Sequence, residues 1–211
     1  MSTFIISDTH FGHAATFERF KRDDGSPLRP FTSVDEMNDT MIKNWNDVVK
    51  DDDLVIHLGD VVMSHRYLPI MNQLNGRKEL VAGNHDPIGG KRGKKFPFDQ
   101  YFARVMAMKV FDDMVLTHIP IHPSNIGRWG TNVHGHLHGG QVMREVYDSL
   151  AGSTFSHEMK DEPDPRYLCV SVEHTDYKPI SLDEVRKRIA DRRIQYNYTP
   201  PRDPFGNGSD M

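Results

Sequence analysis

Asp53-Leu54-Val55-Ile56-His57-Leu58-Gly59-Asp60 is an apolar run with little polar alternation that ends on a glycine and a carboxylate. Strands buried on both faces of a sheet read this way, and covering both faces needs crossover connections. The run therefore predicts a parallel or mixed α/β architecture. Upstream, Phe4-Ile5-Ile6-Ser7 leads in the same manner into Asp8-Thr9-His10. Downstream, Lys78-Glu79-Leu80-Val81-Ala82 stops at Gly83-Asn84-His85-Asp86. Three strands that release polar residues at their carboxyl ends predict a site assembled along one edge of the sheet.

Ser33-Val34-Asp35-Glu36 is a capping-box pattern, and Met37, Met41, Ile42, Trp45, Val48 and Val49 follow at helical spacing. A helix from Val34 to Val49 is expected, with that stripe in the core. Leu68 to Leu74 predicts a short helix and Asn75-Gly76 a turn. Ala103 to Val110 and Met114 to Thr117 flank Asp112-Asp113 as a hairpin or two adjacent strands leading to His118. Asn132-Val133-His134-Gly135 and Tyr167 to Val172 predict further strands. Ser181 caps a helix to about Arg193 that turns Val185 and Ile189 inward. From Tyr196 the chain is rich in Pro, Gly and polar residues, so one domain over residues 1–195 is expected to end in a flexible tail, 196–211.

With 211 residues, 37% hydrophobic and 27% charged, the composition is that of a soluble globular protein. No apolar run approaches the roughly 18 residues of a membrane span. Met1 leads into the first strand with no basic or cleavable apolar stretch before it. The lone cysteine, Cys169, fits a reducing compartment, and the chain is expected to be cytoplasmic without a membrane partner. A formal net charge of −4 supplies no global basic field, which argues against a dedicated duplex-binding protein. The sequence carries no signal for oligomeric state.

Six of the twelve histidines fall in the fragments Asp8-Thr9-His10, Gly59-Asp60, Gly83-Asn84-His85-Asp86, Thr117-His118 and His134-Gly135-His136-Leu137-His138. Carboxylates, an amide and imidazoles form a mixed oxygen and nitrogen donor set suited to Mn, Fe, Zn or Ni and poor for Cu(I) or a thiolate zinc site. Two divalent ions held by Asp8 and Asp60 with neutral partners keep a net positive charge that attracts a phosphate ester. A water shared by the ions has its pKa lowered from about 15.7 toward 7, so hydrolysis by attack of that hydroxide is the expected chemistry. His85 is placed to protonate the leaving alkoxide, with Asp86 as the group that orients its ring.

In this order the five fragments resemble the calcineurin-like metallophosphoesterases. The resemblance implies a four-layer α/β/β/α sandwich of two mixed sheets over residues 1–195. It places Asp8, His10, Asp60 and His138 around one ion and Asp60, Asn84, His118 and His136 around the other, with Asp60 shared. His85 is then the general acid in contact with the scissile phosphate. Arg29-Pro30-Phe31, Met37-Asn38, Trp45-Asn46 and Tyr177 to Leu182 look like a small single-domain branch found in bacteria and phages. The chain lacks the long insertions and arginine-rich clamps of the family's large protein phosphatases and purple acid phosphatases, so a phosphoprotein substrate loses weight.

The expected activity is hydrolysis of a phosphodiester, or of a phosphomonoester, in a small nucleotide-type substrate, with Mn2+ favoured over Fe, Zn and Ni. His13, Arg29, His122 and Arg128 are the candidate substrate contacts, the two arginines as bidentate phosphate ligands. A nuclease acting on a single-stranded nucleic acid is one alternative, guided by the basic loop with Lys91, Arg92, Lys94 and Lys95. A non-catalytic metal-binding interaction scaffold is another. His57, His65, His157 and His174 read as surface or core residues, and His134 as a packed or supporting one.

Overall fold

β1 (Thr3–Ile6), β2 (Leu54–His57) and β3 (Arg77–Val81) run parallel, side by side. They belong to a computed structural model that describes residues 1–87, 97–148 and 158–200. β4 (Arg104–Met106) adds a further parallel strand beyond β3, and Ile180–Ser181, the last strand, pairs antiparallel with β1 at the opposite edge. A second, four-stranded sheet sets Lys109–Phe111 (β5), Met114–Leu116 (β6), Thr131–His134 (β7) and Tyr167–Cys169 side by side, antiparallel at the β5 edge and parallel elsewhere. Met143–Asp148 (β8) and Glu158–Pro163 (β9) form a separate antiparallel ribbon. Tyr167–Cys169 is then β10 and Ile180–Ser181 is β11.

The period of two along each strand sorts the core into two layers. Phe4, Ile6, Val55 and Leu80 face Met37, Met41 and Trp45. Those three lie on a helix, Val34–Val48 (α2), which follows a single helical turn at Ala15–Glu18 (α1). Ile5, Leu54, Ile56 and Val81 point the other way, into Met114, Leu116, Val133 and Leu168 of the second sheet. The helix Leu182–Gln195 (α3) inserts Val185 and Ile189 into that inter-sheet layer. The far side of the second sheet is covered by the segment after His118, where Asn132 Oδ1 accepts from the Ile121 amide at 3.0 Å and the Tyr167 hydroxyl donates to the Ile121 carbonyl at 2.7 Å. The order of layers is that of an α/β/β/α sandwich whose fourth layer is thin.

Both long helices start as their caps dictate: Ser33 Oγ accepts from the Glu36 amide at 3.1 Å, and Ser181 Oγ from the Glu184 amide at 3.2 Å. Elsewhere the structure corrects the sequence reading. His65–Gln73 winds as 3-10 turns around Pro69, whose missing N–H opposes an α-helix. The hairpin expected around Asp112-Asp113 forms between β5 and β6, but its first arm is only Lys109–Phe111, because β4 belongs to the first sheet. The β8 and β9 ribbon had no counterpart among the expected elements. The expected tail begins by turning back on α3, with the Tyr198 amide donating to the Arg193 carbonyl at 2.8 Å. Its residues 201–211 and the basic loop Lys91 to Lys95 lie outside the described residues. Among the described residues no helix is long and apolar enough to cross a membrane.

Candidate metal centre

The loops that leave β1 and β2 are stitched together: the Asp8 amide donates to the Gly59 carbonyl and the His10 amide to the Asp60 carbonyl, both at 3.0 Å. Asp8, His10, Asp60, His136 and His138 all adopt left-handed backbone, with φ of 57°, 44°, 56°, 70° and 50°. Such conformations cost on the order of 1–3 kcal/mol each and persist where the surroundings over-determine them. Asp and His enter that region more readily than most residues, which suits them to these turns. Gly83 and Gly135 let the turns close, since a Cβ on Gly83 would lie 2.2 Å from Asp60 Oδ1 and one on Gly135 would lie 2.4 Å from Asp8 Oδ2.

The side chains converge in two groups, Asp8 with His10 and His138, and Asp60 with His118 and His136, the potential donor atoms of each lying within 4.8 Å of one another. Asp60 Oδ2 stands 3.4 Å from His10 Nε2 and 3.3 Å from His118 Nε2, so one oxygen reaches both groups. Its Oδ1 is occupied by the His85 amide at 2.8 Å. His118 Nδ1 donates to the Leu58 carbonyl at 2.8 Å, which leaves the Nε2 lone pair facing Asn84 Oδ1 at 2.8 Å and Asp60 Oδ2. Three electron-rich atoms turned toward one point call for a cation among them. Asp8 shows the same logic, because Oδ2 accepts from Ser171 Oγ at 2.8 Å and from the His136 amide at 2.9 Å, whereas the buried Oδ1 has no hydrogen-bond partner. Neither ring nitrogen of the buried His10 has one.

These unsatisfied atoms fit divalent ions. Ligand atoms about 2.1 Å from a shared ion stand roughly 3–3.4 Å apart, close to the separations around Asp60 Oδ2. Metal ligands must be neutral imidazoles and ionised carboxylates. The shifts at His10, His136 and Asp60 favour those forms, while Asp8, His118 and His138, all raised, must give up a proton when an ion binds. Burial pushes the His10 imidazole well below its ordinary range. Burial would raise the Asp60 carboxyl, yet His118 and His10 beside it hold it well below the usual carboxylate range. Burial raises the Asp8 carboxyl, as expected of an acid with one oxygen unpaired.

Arg29, expected at the substrate, and Asp86, expected to orient His85, are instead part of the support. Arg29 is fully buried, and its guanidinium donates to Glu173 Oε1 at 2.8 Å, to the Thr9 carbonyl at 2.8 Å and to the Asp8 carbonyl at 2.6 Å. Buried behind the first ligand loop and absent from the cavity wall, it holds that loop and does not reach a phosphate. Asp86 does not orient the His85 ring; its carboxylate accepts from the amides of Asp60 at 2.8 Å, Val61 at 3.1 Å and Gly83 at 2.9 Å, pinning two ligand loops together. His122 is a third correction: it is exposed and pairs with Ser124 in its own 3-10 turn. The Arg128 side chain lies outside the described residues. His13 does reach the cavity, with its ring 5.3 Å from that of His10, and burial with the nearby Arg29 lowers its pKa to about 4.

Glu173 was not anticipated. Its Oε1 receives Arg29 and also His138 Nδ1 at 3.1 Å, which fixes the ring and leaves Nε2 toward Asp8. Burial would raise the Glu173 carboxyl, but Arg29 and His138 outweigh it and hold it down to about 2. Ser171, the partner of Asp8, was likewise unmarked; both follow β10 in Ser171-Val172-Glu173, which carries no ligand-type motif.

A family model described as calcineurin-like phosphoesterase matches residues 1–190. The chain belongs to the calcineurin-like phosphoesterases. With its two candidate Asp/His groups it is a metal-dependent phosphoesterase. This phosphoesterase is 33% identical over 195 residues to the uncharacterized protein MJ1445 of Methanocaldococcus jannaschii, covering 90% of this chain and 93% of that one. It is 35% identical over 91 residues to the Gene 66 protein of Mycobacterium phage L5, a match that covers 40% of each chain. The crystal structure of a protein of unknown function from Aquifex aeolicus, AQ665, shares the fold, with a TM-score of 0.56 at 23% identity over 89% of this chain and 98% of that one.

Proposed function

We propose that this chain hydrolyses phosphodiester bonds of a small nucleotide-type substrate with two divalent ions, Mn2+ favoured over Fe, Zn or Ni, in the cytoplasm. The observation that carries this reading is the position of Asp60 Oδ2 between His10 Nε2 and His118 Nε2, at 3.4 Å and 3.3 Å. Asp8, His10, Asp60 and His138 would hold one ion, and Asp60, Asn84, His118 and His136 the other. Bound there, the ions supply Lewis-acid polarisation of the phosphate and a water acidic enough to act at neutral pH.

The protein's own groups do the rest. Arg29, Asp86, Ser171 and Glu173 spend their hydrogen bonds on the ligand loops, so the donor atoms are set before substrate arrives. His85 is tied through its amide to Asp60 Oδ1, while its exposed ring sits 5.4 Å from that of His10 at the cavity wall. From there a ring N–H donates its proton to the departing alkoxide oxygen.

Hydrolysis of bis(p-nitrophenyl) phosphate by the Mn2+-loaded protein tests the reading. Turnover is expected in the native chain, none in Asp60→Ala, and a fall of about 10²–10⁴ in His85→Ala with both ions retained. Absence of turnover with Mn2+, Ni2+, Zn2+ and Mg2+ alike would leave a metal-binding scaffold in its place.

A further inference from the structure

Most side chains around the cavity are polar, but two are not. Phe20 and Met63 line it together with His10, Asp60, Asn84 and His136, and both are left open, with 46% and 36% of their surfaces accessible. An aromatic ring and a thioether left open in the same cavity give it an apolar wall that a ligand can cover. Their backbones are fixed. The Phe20 amide donates to the Ala15 carbonyl and its carbonyl accepts from the Leu28 amide, each at 2.9 Å, while the Met63 amide donates to the Phe11 carbonyl at 3.1 Å. Phe20 also rests edge-on against the His13 ring, centroids 5.6 Å apart, and His13 in turn stands 5.3 Å from His10.

We infer that Phe20 and Met63 form a shelf that receives the base of a nucleoside phosphate whose phosphate lies at the ligand cluster. This rests on the phosphoesterase reading above and adds to it the place where the base binds. His13 stands between the candidate ligand His10 and Phe20, so its ring would flank a pentose that joins the phosphate to the base across the cavity. An aromatic face and a polarisable sulfur favour a planar π-system over an alkyl group, because rings stack on the one and contact the other. Stacking tolerates any base, so the shelf selects for a base and not among bases.

The test compares matched pairs. Titration calorimetry of the Mn2+-loaded protein with adenosine 5′-phosphate and with ribose 5-phosphate is expected to show about tenfold tighter binding of the nucleotide. Phe20→Ala should bring the two affinities close together, and Phe20→Trp should restore the gap. Turnover of the methyl diesters of the same compounds should show the same preference, carried in KM. Equal affinities in the native protein, or equal weakening of both ligands by Phe20→Ala, would overturn the shelf while leaving the phosphoesterase standing if both diesters are cleaved. Absence of turnover with a preserved base preference in binding would instead sink the catalytic reading and keep the shelf.

Discussion

Glu173 holds His138 through a hydrogen bond of 3.1 Å from Nδ1 to the carboxylate oxygen that also receives Arg29 Nε. The imidazole is thereby fixed in orientation and tautomer, and its basicity toward a cation rises. Glu173→Gln should keep the fold and weaken the binding of one of two ions by about 10–100-fold. Competition with a chelator of known affinity, followed by elemental analysis, measures this. Glu173→Ala should in addition lower stability by about 3–5 kcal/mol, because it strands the buried Arg29 guanidinium. Unchanged metal affinity in the glutamine variant would reduce Glu173 to a partner of Arg29 alone.

Asp86 is a clamp on backbone amides, so its loss should be felt in folding before chemistry. Asp86→Ala leaves three N–H groups without their acceptor and should cost at least about 2 kcal/mol in urea unfolding of the metal-free protein. Asp86→Asn, which keeps an acceptor oxygen, should cost less. His85→Ala should stay within about 0.5 kcal/mol of the native chain, as an exposed side chain does. A fully stable but inactive alanine variant at position 86 would return that residue to the role of orienting His85.

At Gly135 an added methyl group would fall 2.0 Å from Ser7 Oγ and 2.4 Å from Asp8 Oδ2. Gly135→Ala should therefore displace the first carboxylate, lower stability by about 1–3 kcal/mol and reduce bound metal. Thermal unfolding with and without Mn2+ would show whether the stabilisation by metal shrinks in the variant, as this geometry requires.

Acid sensitivity has an identifiable source in His57. Its Nδ1 accepts from the Gly59 amide at 3.1 Å, and burial lowers its pKa to about 3. The unfolded chain takes up this proton near pH 6.5 and the folded chain only near 3, so the stabilisation is complete above pH 6.5 and is lost as pH falls toward 3. The slope reaches about 1.4 kcal/mol per pH unit for one such group. In metal-free buffer, the drop in unfolding free energy between pH 7 and 5.5 should be smaller for His57→Gln by about 1 kcal/mol. Identical drops would mean that the ring is hydrated in the native state.

The parts legible in the sequence are those whose physics is local. β1 and β2 show as apolar runs because both faces are covered, β3 shows only through Leu80-Val81-Ala82, and the ligand residues stand where those runs stop. α2 and α3 show through Ser33 and Ser181 and through the spacing of Met37, Met41 and Trp45 or of Val185 and Ile189. What could not be read depends on contacts distant in the chain. Arg29 lies between Leu28 and Pro30 and reads as a cation free to meet a phosphate; its burial is accounted for by Glu173, 144 residues away, and by the Asp8 and Thr9 carbonyls. Asp86 adjoins His85 in sequence, yet two of its three amide partners, Asp60 and Val61, are brought over from the β2 loop. The β8 strand, Met-Arg-Glu-Val-Tyr-Asp, lacks the apolar alternation of a packed strand because it pairs only with β9.

The ligand loops issue from different layers: Asp8 and Asp60 leave the first sheet, while His118 and His136 leave the second. Ions bound between them would rivet the two halves of the sandwich, so that melting and metal release become a single equilibrium. Each ion at a hundred times its dissociation constant would then add about 2.7 kcal/mol to the native state. A chelator would lower the melting temperature of this protein as well as its activity.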